Sequence, residues 1–286
     1  MSLSRLLSAI VAIILALGML FLGGWYFTLG LCVAVFLGQQ EYFQLVLAKG
    51  FQPAVKTTLV LSQLLLVITA LFPAFSDTMF PLAGIIVCFA MLFAPKMVSI
   101  ADISTSILGL FYGGYLPSYW VRLRVGMQPT GNLPFYGYWP TSWSDWQHLP
   151  PTLSHTLLVF MCIWAADIGA YIFGKSLGKT KLSMISPKKT LEGAVLGLLC
   201  STLMSVAGAY YLQWHQWLIS GLMMGVLIGC STLVGDLTES LMKRDAGVKD
   251  SSGLIPGHGG MLDRTDSYIF TAPLVYYFIS LALPLF

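Results

Sequence analysis

This sequence predicts an all-α, polytopic transmembrane protein with about nine membrane-spanning helices. Of its 286 residues, 57% are hydrophobic and 9% are charged, whereas charged residues make up about a quarter of a typical soluble domain. Several apolar runs approach the ~20 residues that a helix needs to cross the hydrocarbon core of a bilayer. These runs do not alternate apolar and polar residues, as the strands of a transmembrane barrel would.

The candidate spans follow one another in order, separated by short polar or turn-forming stretches. The first begins after Arg5 and resembles the apolar part of a signal peptide. No small-residue cleavage site follows it, so we expect a retained helix. The predicted spans are 6–22, 25–47, 57–75, 79–95, 98–120, 152–174, 191–212, 217–235 and 267–285.

Charge predicts the orientation of these spans. With a cytoplasmic N-terminus, the nine predicted crossings place every lysine and arginine except Arg122 and Arg124 on the cytoplasmic side. Such a bias is typical of inserted membrane proteins. We therefore expect a multi-pass protein of a bacterial-type inner or plasma membrane, or of an equivalent organelle membrane, with its polar loops in the cytoplasm.

Net charge and cysteine content exclude several classes of partner. A formal net charge of +3 is too small to indicate nucleic-acid binding. The cysteines lie singly within apolar runs, which favours buried small hydrophobic side chains over zinc ligands or a disulfide framework. They are Cys32, Cys88, Cys162, Cys200 and Cys230.

The two halves of the chain differ in acidic content. Residues 1–150 hold four acidic residues and residues 151–286 hold eight. A stretch rich in Trp, Tyr, Pro and Gly, residues 121–150, has the composition of an interfacial loop. We expect residues 1–150 to form scaffold helices with this loop, and residues 151–286 to form the catalytic region.

One carboxylate stands inside an apolar segment of the second half. Asp167 lies about seven residues from the polar end of its run, which is roughly 10 Å along a helix. An intramembrane carboxylate is costly and is by default a candidate for a functional site. The alternative is a structural hydrogen bond to a neighbouring helix.

A compact basic motif, SPKKTLEG, follows this segment at residues 186–193. A Ser-Pro turn before a helix start offers free N–H groups and a positive dipole end to an anion. Lysines that merely mark a cytoplasmic loop would explain Lys175 to Lys181, but they explain this tight grouping less well. The candidate substrate-binding residues here are Ser186, Lys188, Lys189, Thr190 and Glu192.

The densest run of ionisable residues lies at 235–266, between two apolar segments. Carboxylates suited to Mg²⁺, cations suited to phosphate and glycines that let backbone approach a ligand occur here together. Asp236, Glu239 and Lys243 are spaced i, i+3, i+7, so they share one helix face. A solvated, salt-bridged loop is the alternative. It does not explain why the acids begin in the last turn of one apolar segment and end at the start of the next.

The order of residues in this run resembles a known signature. Ser240-x-x-Lys243-Arg244-x₄-Lys249-Asp250 is followed by Pro256-Gly-His258-Gly-Gly-x-x-Asp263-Arg264-x-Asp266. This pattern resembles that of the phosphatidate cytidylyltransferases, also called CDP-diacylglycerol synthases. The SPKKTLEG segment resembles the second motif of that family. The resemblance is specific over about residues 165–266 and compatible over 1–150.

The resemblance implies the reaction CTP + phosphatidate → CDP-diacylglycerol + pyrophosphate, at the cytoplasmic ends of the last four helices. It also implies a homodimer embedded in membrane lipids, Mg²⁺ as the cofactor and room for a second, monovalent cation such as K⁺. The implied metal ligands are Asp236, Asp263 and Asp266. The implied catalytic residues are Ser240, Lys243, Arg244, Asp263 and Arg264, and further substrate contacts are Lys249, His258 and Asp167.

Two other functions use similar chemistry or similar residues. A CTP-dependent polyprenol or dolichol kinase is closer in its chemistry, and only the long signature favours the cytidylyltransferase. An ion-coupled transporter could use Asp167, but transporters place such groups near the midplane of two repeats. Here the ionisable residues crowd one predicted membrane face, and the sequence has no detectable repeat.

Overall fold

The computed structural model describes residues 3–94, 97–126, 131–255 and 259–286, with side chains from Ile10 onward. Within these ranges every regular element is helical, and the only strand-like pairings are isolated β-bridges. The predicted all-α class is therefore confirmed.

Twelve α-helices follow one another along the described part of the chain. The first seven are α1 (Leu3–Leu22), α2 (Gly24–Ala48), α3 (Val55–Leu71), α4 (Ser76–Leu92), α5 (Ile100–Leu110), α6 (Leu116–Arg124) and α7 (Trp143–Gln147). The last five are α8 (Pro151–Leu177), α9 (Leu191–Tyr211), α10 (Trp217–Asp245), α11 (Leu262–Ile269) and α12 (Thr271–Tyr277). A π-helical turn, Phe111–Tyr115, joins α5 to α6, and a second, Phe278–Ala282, follows α12.

Side-chain caps fix where two of these helices begin. Ser99 precedes α5, and its hydroxyl accepts a hydrogen bond from the Asp102 amide while the Asp102 carboxylate accepts one from the Ser99 amide. Thr190 precedes α9, and its Oγ1 accepts a hydrogen bond of 3.2 Å from the Gly193 amide. Such caps satisfy amides that have no partner within the first turn. The helix start predicted after the Ser-Pro turn is therefore confirmed.

Among the residues that the structure describes, six helical stretches are long and apolar enough to cross a membrane. They are Gly24–Ala48, Pro73–Leu92, Pro151–Leu177, Leu191–Tyr211, Trp217–Asp245 and Leu262–Leu285. Two further apolar helices, Ile10–Leu22 and Val55–Leu71, are shorter. The predicted span 98–120 corresponds to α5, the π-helical turn and part of α6. The length and composition of these helices indicate a multi-pass membrane protein, while the number of nine crossings stays a prediction.

The described chain forms two compact units. One comprises Met1–His148 with Met242–Thr265, and the other comprises Leu149–Leu241 with Asp266–Phe286.

The first unit has an apolar core crossed by buried polar contacts. Ala83, Val87, Met91 and Leu110 form one buried apolar cluster. The Gln39 side chain, which is buried, donates to Ser62 Oγ (2.7 Å) and to the carbonyl oxygen of Gly109 (2.9 Å). A buried amide must find such partners, so these bonds fix how α2 packs against α3 and α5.

Arg122 and Arg124, the two arginines predicted on the non-cytoplasmic side, are both buried within the first unit. Arg122 forms a two-pronged ion pair with Asp77 (2.7 and 3.1 Å) and lies 4.2 Å from the ring centre of Tyr119. Arg124 donates to the carbonyl oxygens of Leu20 (2.7 Å) and Phe21 (2.9 Å). Both arginines therefore stabilise the scaffold.

In the second unit, close helix packing depends on small residues. A Cβ on Gly221, Gly225 or Gly229 of α10 would press against the backbone of α9 at Val206, Thr202 or Leu198. Glycines spaced by four residues let membrane helices approach closely. Helix α8 packs along α9 in the same way, because a Cβ on Gly197 would lie 2.7 Å from the carbonyl oxygen of Ala166.

Candidate active site

Three carboxylates converge in the second unit. Asp236 and Glu239 lie near the end of α10, and Asp266 lies on α11. One oxygen of each lies within 4.8 Å of the others. Glu239 is 1% exposed and Asp266 is 9% exposed. Because like charges held this close repel one another, the arrangement favours a bound cation.

Local sequence explains why these carboxylates meet. Asp236 and Glu239 are spaced i, i+3, so they lie on one face of α10. The residue before them is Gly235, and a Cβ at that position would collide with the carbonyl oxygen of Asp266. Nearby, Ser231 and Thr271 share a hydrogen bond of 2.8 Å. The glycine therefore permits the close approach that brings Asp266 to the pair on α10.

A lysine from the SPKKTLEG segment reaches this cluster. Lys189 Nζ forms an ion pair with Asp236. The loop that carries it folds back on itself, since the Leu182 amide donates to the Lys189 carbonyl (2.9 Å) and the Leu191 amide donates to the Thr180 carbonyl (2.9 Å). The sequence-predicted basic motif and Asp236 are thus brought together within one unit.

Other residues predicted in this segment serve the loop itself. Glu192 accepts hydrogen bonds from the amides of Lys179 and Thr180, at 3.1 Å each. Thr190 caps α9. Ser186 is half-buried, and its carbonyl oxygen accepts from the Lys189 amide (3.0 Å). Their predicted substrate contacts stay predictions.

Asp167 is exposed on α8, and the Ser267 hydroxyl donates to it at 3.4 Å. Ser267 directly follows Asp266 in the chain. The structure therefore places Asp167 beside the carboxylate cluster, in the same unit, although it is outside the set of three. Ser240, another predicted site residue of this unit, is almost fully buried on α10.

The first unit contains a second charged group. Lys243 Nζ lies 2.5 Å from Asp263 Oδ1, and the two side chains are 11% and 8% exposed. Asp263 Oδ2 accepts hydrogen bonds from the Ser251 amide (3.0 Å), the Ser251 hydroxyl (2.7 Å) and the Gly260 amide (2.8 Å). Both oxygens of Asp263, a predicted metal ligand, are therefore engaged by donors of the protein.

The remaining predicted phosphate contacts are exposed. These are Lys188, Arg244, Lys249 and Arg264. Arg244 Nη1 donates to the carbonyl oxygen of Val248 at 3.2 Å. His258 lies outside the described residues.

Sequence reasoning did not assign a role to Glu239 or Glu41. The i, i+3 spacing puts Glu239 on the same helix face as Asp236. That spacing could have identified Glu239 as a further metal ligand. Glu41 is the one acidic residue of the apolar run 25–47. The rule that singled out Asp167, that an intramembrane carboxylate is a functional candidate, applies equally to Glu41, and the structure shows that residue contacting the signature segment.

Comparison with known proteins adds independent information. The sequence pattern of the group described as "Cytidylyltransferase family" matches residues 3–282. A Synechocystis protein named phosphatidate cytidylyltransferase is 60% identical over 284 residues, which is 98% of this chain and 97% of that protein. An Arabidopsis thaliana protein named phosphatidate cytidylyltransferase 4, chloroplastic, is 42% identical over 92% of this chain and 70% of its own length. A Staphylococcus aureus phosphatidate cytidylyltransferase is 44% identical over 126 residues, covering 43% of this chain and 48% of its own.

Proposed function

The chain belongs to the cytidylyltransferase family, and from this premise we infer that it transfers the cytidylyl group of CTP to phosphatidate in phospholipid synthesis. The observation that carries this inference is the Synechocystis relative, which is 60% identical across 98% of this chain and bears that activity in its name. The ordered signature from Ser240 to Asp266 supports the same conclusion. The products are CDP-diacylglycerol and pyrophosphate.

The bond changes are those of a nucleotidyl transfer. A phosphate oxygen of phosphatidate attacks the α-phosphorus of CTP, and the bond from that phosphorus to the oxygen bridging to the β-phosphate breaks. A phosphate monoester has its second pKa near ~6, so most of it is already dianionic at neutral pH. The attack therefore needs no strong general base. The main barrier is the repulsion between two anions.

The chain's own cations reduce that repulsion. We propose that Lys243, Arg244 and Arg264 bind phosphate oxygens and that Lys188 and Lys189 serve the same purpose from the other motif. Asp263 holds Lys243 by an ion pair of 2.5 Å. A lysine fixed in this way loses little conformational freedom when it meets a phosphate, which favours preorganised electrostatic stabilisation.

The donor set of the carboxylate cluster fits a hard divalent cation. Mg²⁺ prefers oxygen ligands and is held by few protein carboxylates, with water and phosphate completing its shell. We propose that Asp236, Glu239 and Asp266 hold Mg²⁺. When bound, the ion would neutralise charge on the phosphates. We propose that Asp263 holds Lys243 and is not a metal ligand. A second cation such as K⁺ stays a prediction.

Orientation and assembly belong to the same proposal. We propose that the sequence crosses the membrane about nine times, the two short apolar helices and the α5–α6 region included. The two polar loops and the active site then face the cytoplasm, because the positive-inside rule favours that side. The division into scaffold residues 1–150 and catalytic residues 151–286, and the homodimer, stay predictions.

The decisive assay uses purified protein in detergent with phosphatidate, radiolabelled CTP and Mg²⁺. We expect label to appear in CDP-diacylglycerol when the CTP carries it on the α-phosphate, and in pyrophosphate when it is on the β-phosphate. A lipid kinase would instead transfer the γ-phosphate and release CDP. Label in the lipid from γ-labelled CTP alone would contradict the proposal.

Orientation is tested in intact cells with an impermeant thiol reagent. Cysteines replacing the exposed residues Lys179 and Lys249 should stay unlabelled until the cells are opened. The unsubstituted protein, which keeps its own cysteines, is the control. Labelling of either position from outside would contradict the cytoplasmic placement.

A further inference from the structure

Glu41 is a carboxylate within an apolar helix that is long enough to cross a membrane. It lies on α2, within the span Gly24–Ala48, and is 3% exposed. A carboxylate in such a place is costly unless its oxygens are satisfied. Its partners therefore indicate why it is there.

Four hydrogen bonds satisfy the two oxygens of Glu41 evenly. Oε1 accepts from the Ser252 hydroxyl (2.6 Å) and the Met261 amide (2.9 Å). Oε2 accepts from the Ser251 hydroxyl (2.8 Å) and the Leu262 amide (2.8 Å). Each oxygen thus binds one hydroxyl and one amide, and the donors come from two separate parts of the signature segment.

The two amides lie at the start of α11, where helix N–H groups have no partner within the helix. A negative charge at this end is also favoured by the helix dipole. Glu41 therefore acts as a cap for α11 that is supplied by a distant helix of the same unit.

Glu41 and Asp263 share a hydrogen-bond partner, Ser251. The Ser251 hydroxyl lies 2.8 Å from Glu41 and 2.7 Å from Asp263, and it has one proton to share between them. The Gly260 amide donates to Asp263, and a Cβ at Gly260 would collide with both Glu41 Oε2 and the Ser251 hydroxyl. Asp263 in turn holds Lys243. One continuous set of hydrogen bonds thus links Glu41 to Lys243.

We propose that Glu41 is a positioning residue for the cytidylyl transfer. By fixing Ser251 and the first turn of α11, it sets the place of Asp263 and, through Asp263, of the Lys243 ammonium. This inference rests on the proposed function, because it assigns Glu41 to the reaction without contact to substrate.

Glu41→Gln tests the proposal with minimal change in size. The amide nitrogen that replaces one oxygen faces a hydroxyl and a backbone amide, so it cannot accept their hydrogen bonds. We expect kcat to fall about 10- to 100-fold, as for a catalytic group displaced by a fraction of an ångström. The KM for CTP should change less than about threefold, because the phosphate contacts themselves remain. Hydrogen exchange at the Met261 and Leu262 amides should become faster.

Asp102→Asn is the matched control. Asp102 is another buried carboxylate of the first unit, and it accepts from the Gln52 amide (2.5 Å) and from Ser99. It has no hydrogen bond with the signature segment among the described residues. The control should lower the melting temperature but leave kcat per folded molecule, and exchange at Met261 and Leu262, unchanged.

The outcomes separate the two proposals. If the wild-type protein makes no CDP-diacylglycerol, the proposed function fails and this inference fails with it, even if the exchange result holds. If the wild type is active and Glu41→Gln keeps its kcat, changes only KM, or loses no more activity than Asp102→Asn, the positioning role is overturned.

A second variant covers the case in which Glu41→Gln does not fold. Ser252→Ala removes one of the four hydrogen bonds to Glu41. A smaller kcat loss with faster Met261 exchange would then support the role, and an unchanged kcat would overturn it.

Discussion

Two groups of carboxylates, one in each unit, are stabilised in different ways. In the first unit, Glu41 and Asp263 are surrounded by hydroxyl, amide and ammonium donors that belong to the protein. In the second unit, Asp236, Glu239 and Asp266 converge on one another within 4.8 Å, with Lys189 as a counter-charge at the edge. Burial alone does not distinguish the groups, because both contain nearly inaccessible side chains.

The contrast indicates which of the two groups of carboxylates requires a bound cation. Carboxylates that accept several donors are stable as they are, and they fix the positions of those donors. Carboxylates that face one another raise the free energy of the folded state until a cation joins them. We therefore expect the first group to respond to changes in packing and the second to respond to metal.

The largest effect is expected for Asp266→Asn. Turnover should fall by at least ~10²-fold, the scale of removing one preorganised electrostatic group. Mg²⁺ should raise the melting temperature of the wild type, since a ligand that binds the folded state stabilises it. The variant should lose that rise, and without Mg²⁺ it should melt no lower than the wild type because one repelling charge is gone.

Asp245→Asn is the control for this experiment. Asp245 is 63% exposed and pairs with Lys49 at 3.1 Å. Its variant should keep both turnover and the Mg²⁺-dependent rise in melting temperature. A persistent rise in Asp266→Asn would show that the cluster is not the metal site.

The second prediction concerns Asp263→Asn, which should behave differently. Removing this charge leaves the buried Lys243 ammonium without its partner, which costs about 3 kcal/mol of stability. The loss should be the same with and without Mg²⁺. In a thermodynamic cycle, Asp263→Asn combined with Lys243→Ala should destabilise less than the sum of the single changes.

The same measurements also test the role of metal ligand that the sequence predicted for Asp263. If Asp263→Asn melts normally without Mg²⁺ and loses only the Mg²⁺-dependent rise, Asp263 is a metal ligand and the contrast between the two groups fails. Unfolding measured in both conditions distinguishes the two roles directly.

A smaller effect is expected for Lys189→Ala. Lys189 pairs with Asp236 and is three-quarters buried, and a hydrogen bond to a charged group corresponds to about a tenfold change in affinity. We therefore expect the KM for CTP to rise about tenfold, measured from initial rates. Lys175→Ala, an exposed lysine at the end of α8, should not change it. Equal effects of the two changes would indicate a general influence of loop charge.

The sequence predicted much of the fold because membrane crossing depends on composition and length. The runs near 25–47, 152–174 and 191–212 match helices of the structure closely. The run 98–120 is less regular, since the π-helical turn at Phe111–Tyr115 separates two short helices. That turn depends on close packing, where a Cβ on Gly114 would lie 2.5 Å from Ser62 Oγ, and no local pattern specifies such a contact.

The site was predicted only as far as local spacing reaches. The shared helix face of Asp236 and Glu239 was visible in the sequence, whereas the ion pair of Lys189 with Asp236 depends on how α9 and α10 pack. The contacts of Glu41 join residues about 210 positions apart, so they depend entirely on tertiary structure. A rule based on intramembrane charge would have flagged Glu41 but could not have named its partners.

The smallest effect is expected at Asp145. Because this carboxylate is exposed, it shows the effect of hydrogen-bond donors without the effect of burial. This exposed carboxylate accepts hydrogen bonds from the amides of Thr141 (2.9 Å) and Ser142 (3.0 Å). Hydrogen bonds from these residues lower its pKa to about 2, and the bond from the Thr141 amide has the largest effect. A depressed pKa means that the contribution to loop stability is complete above the ordinary value of about 3.9. It is lost as the pH falls towards 2. A carboxyl-carbon NMR titration should therefore give a midpoint near 2 for Asp145. The Thr141→Val change removes a hydroxyl that also donates to this carboxylate (3.0 Å), so it should raise the midpoint while turnover at pH 7 stays unchanged. A wild-type midpoint near the ordinary value would show that donors alone do not hold a carboxylate ionised in this protein, and the contrast between the two groups would then lose its physical basis.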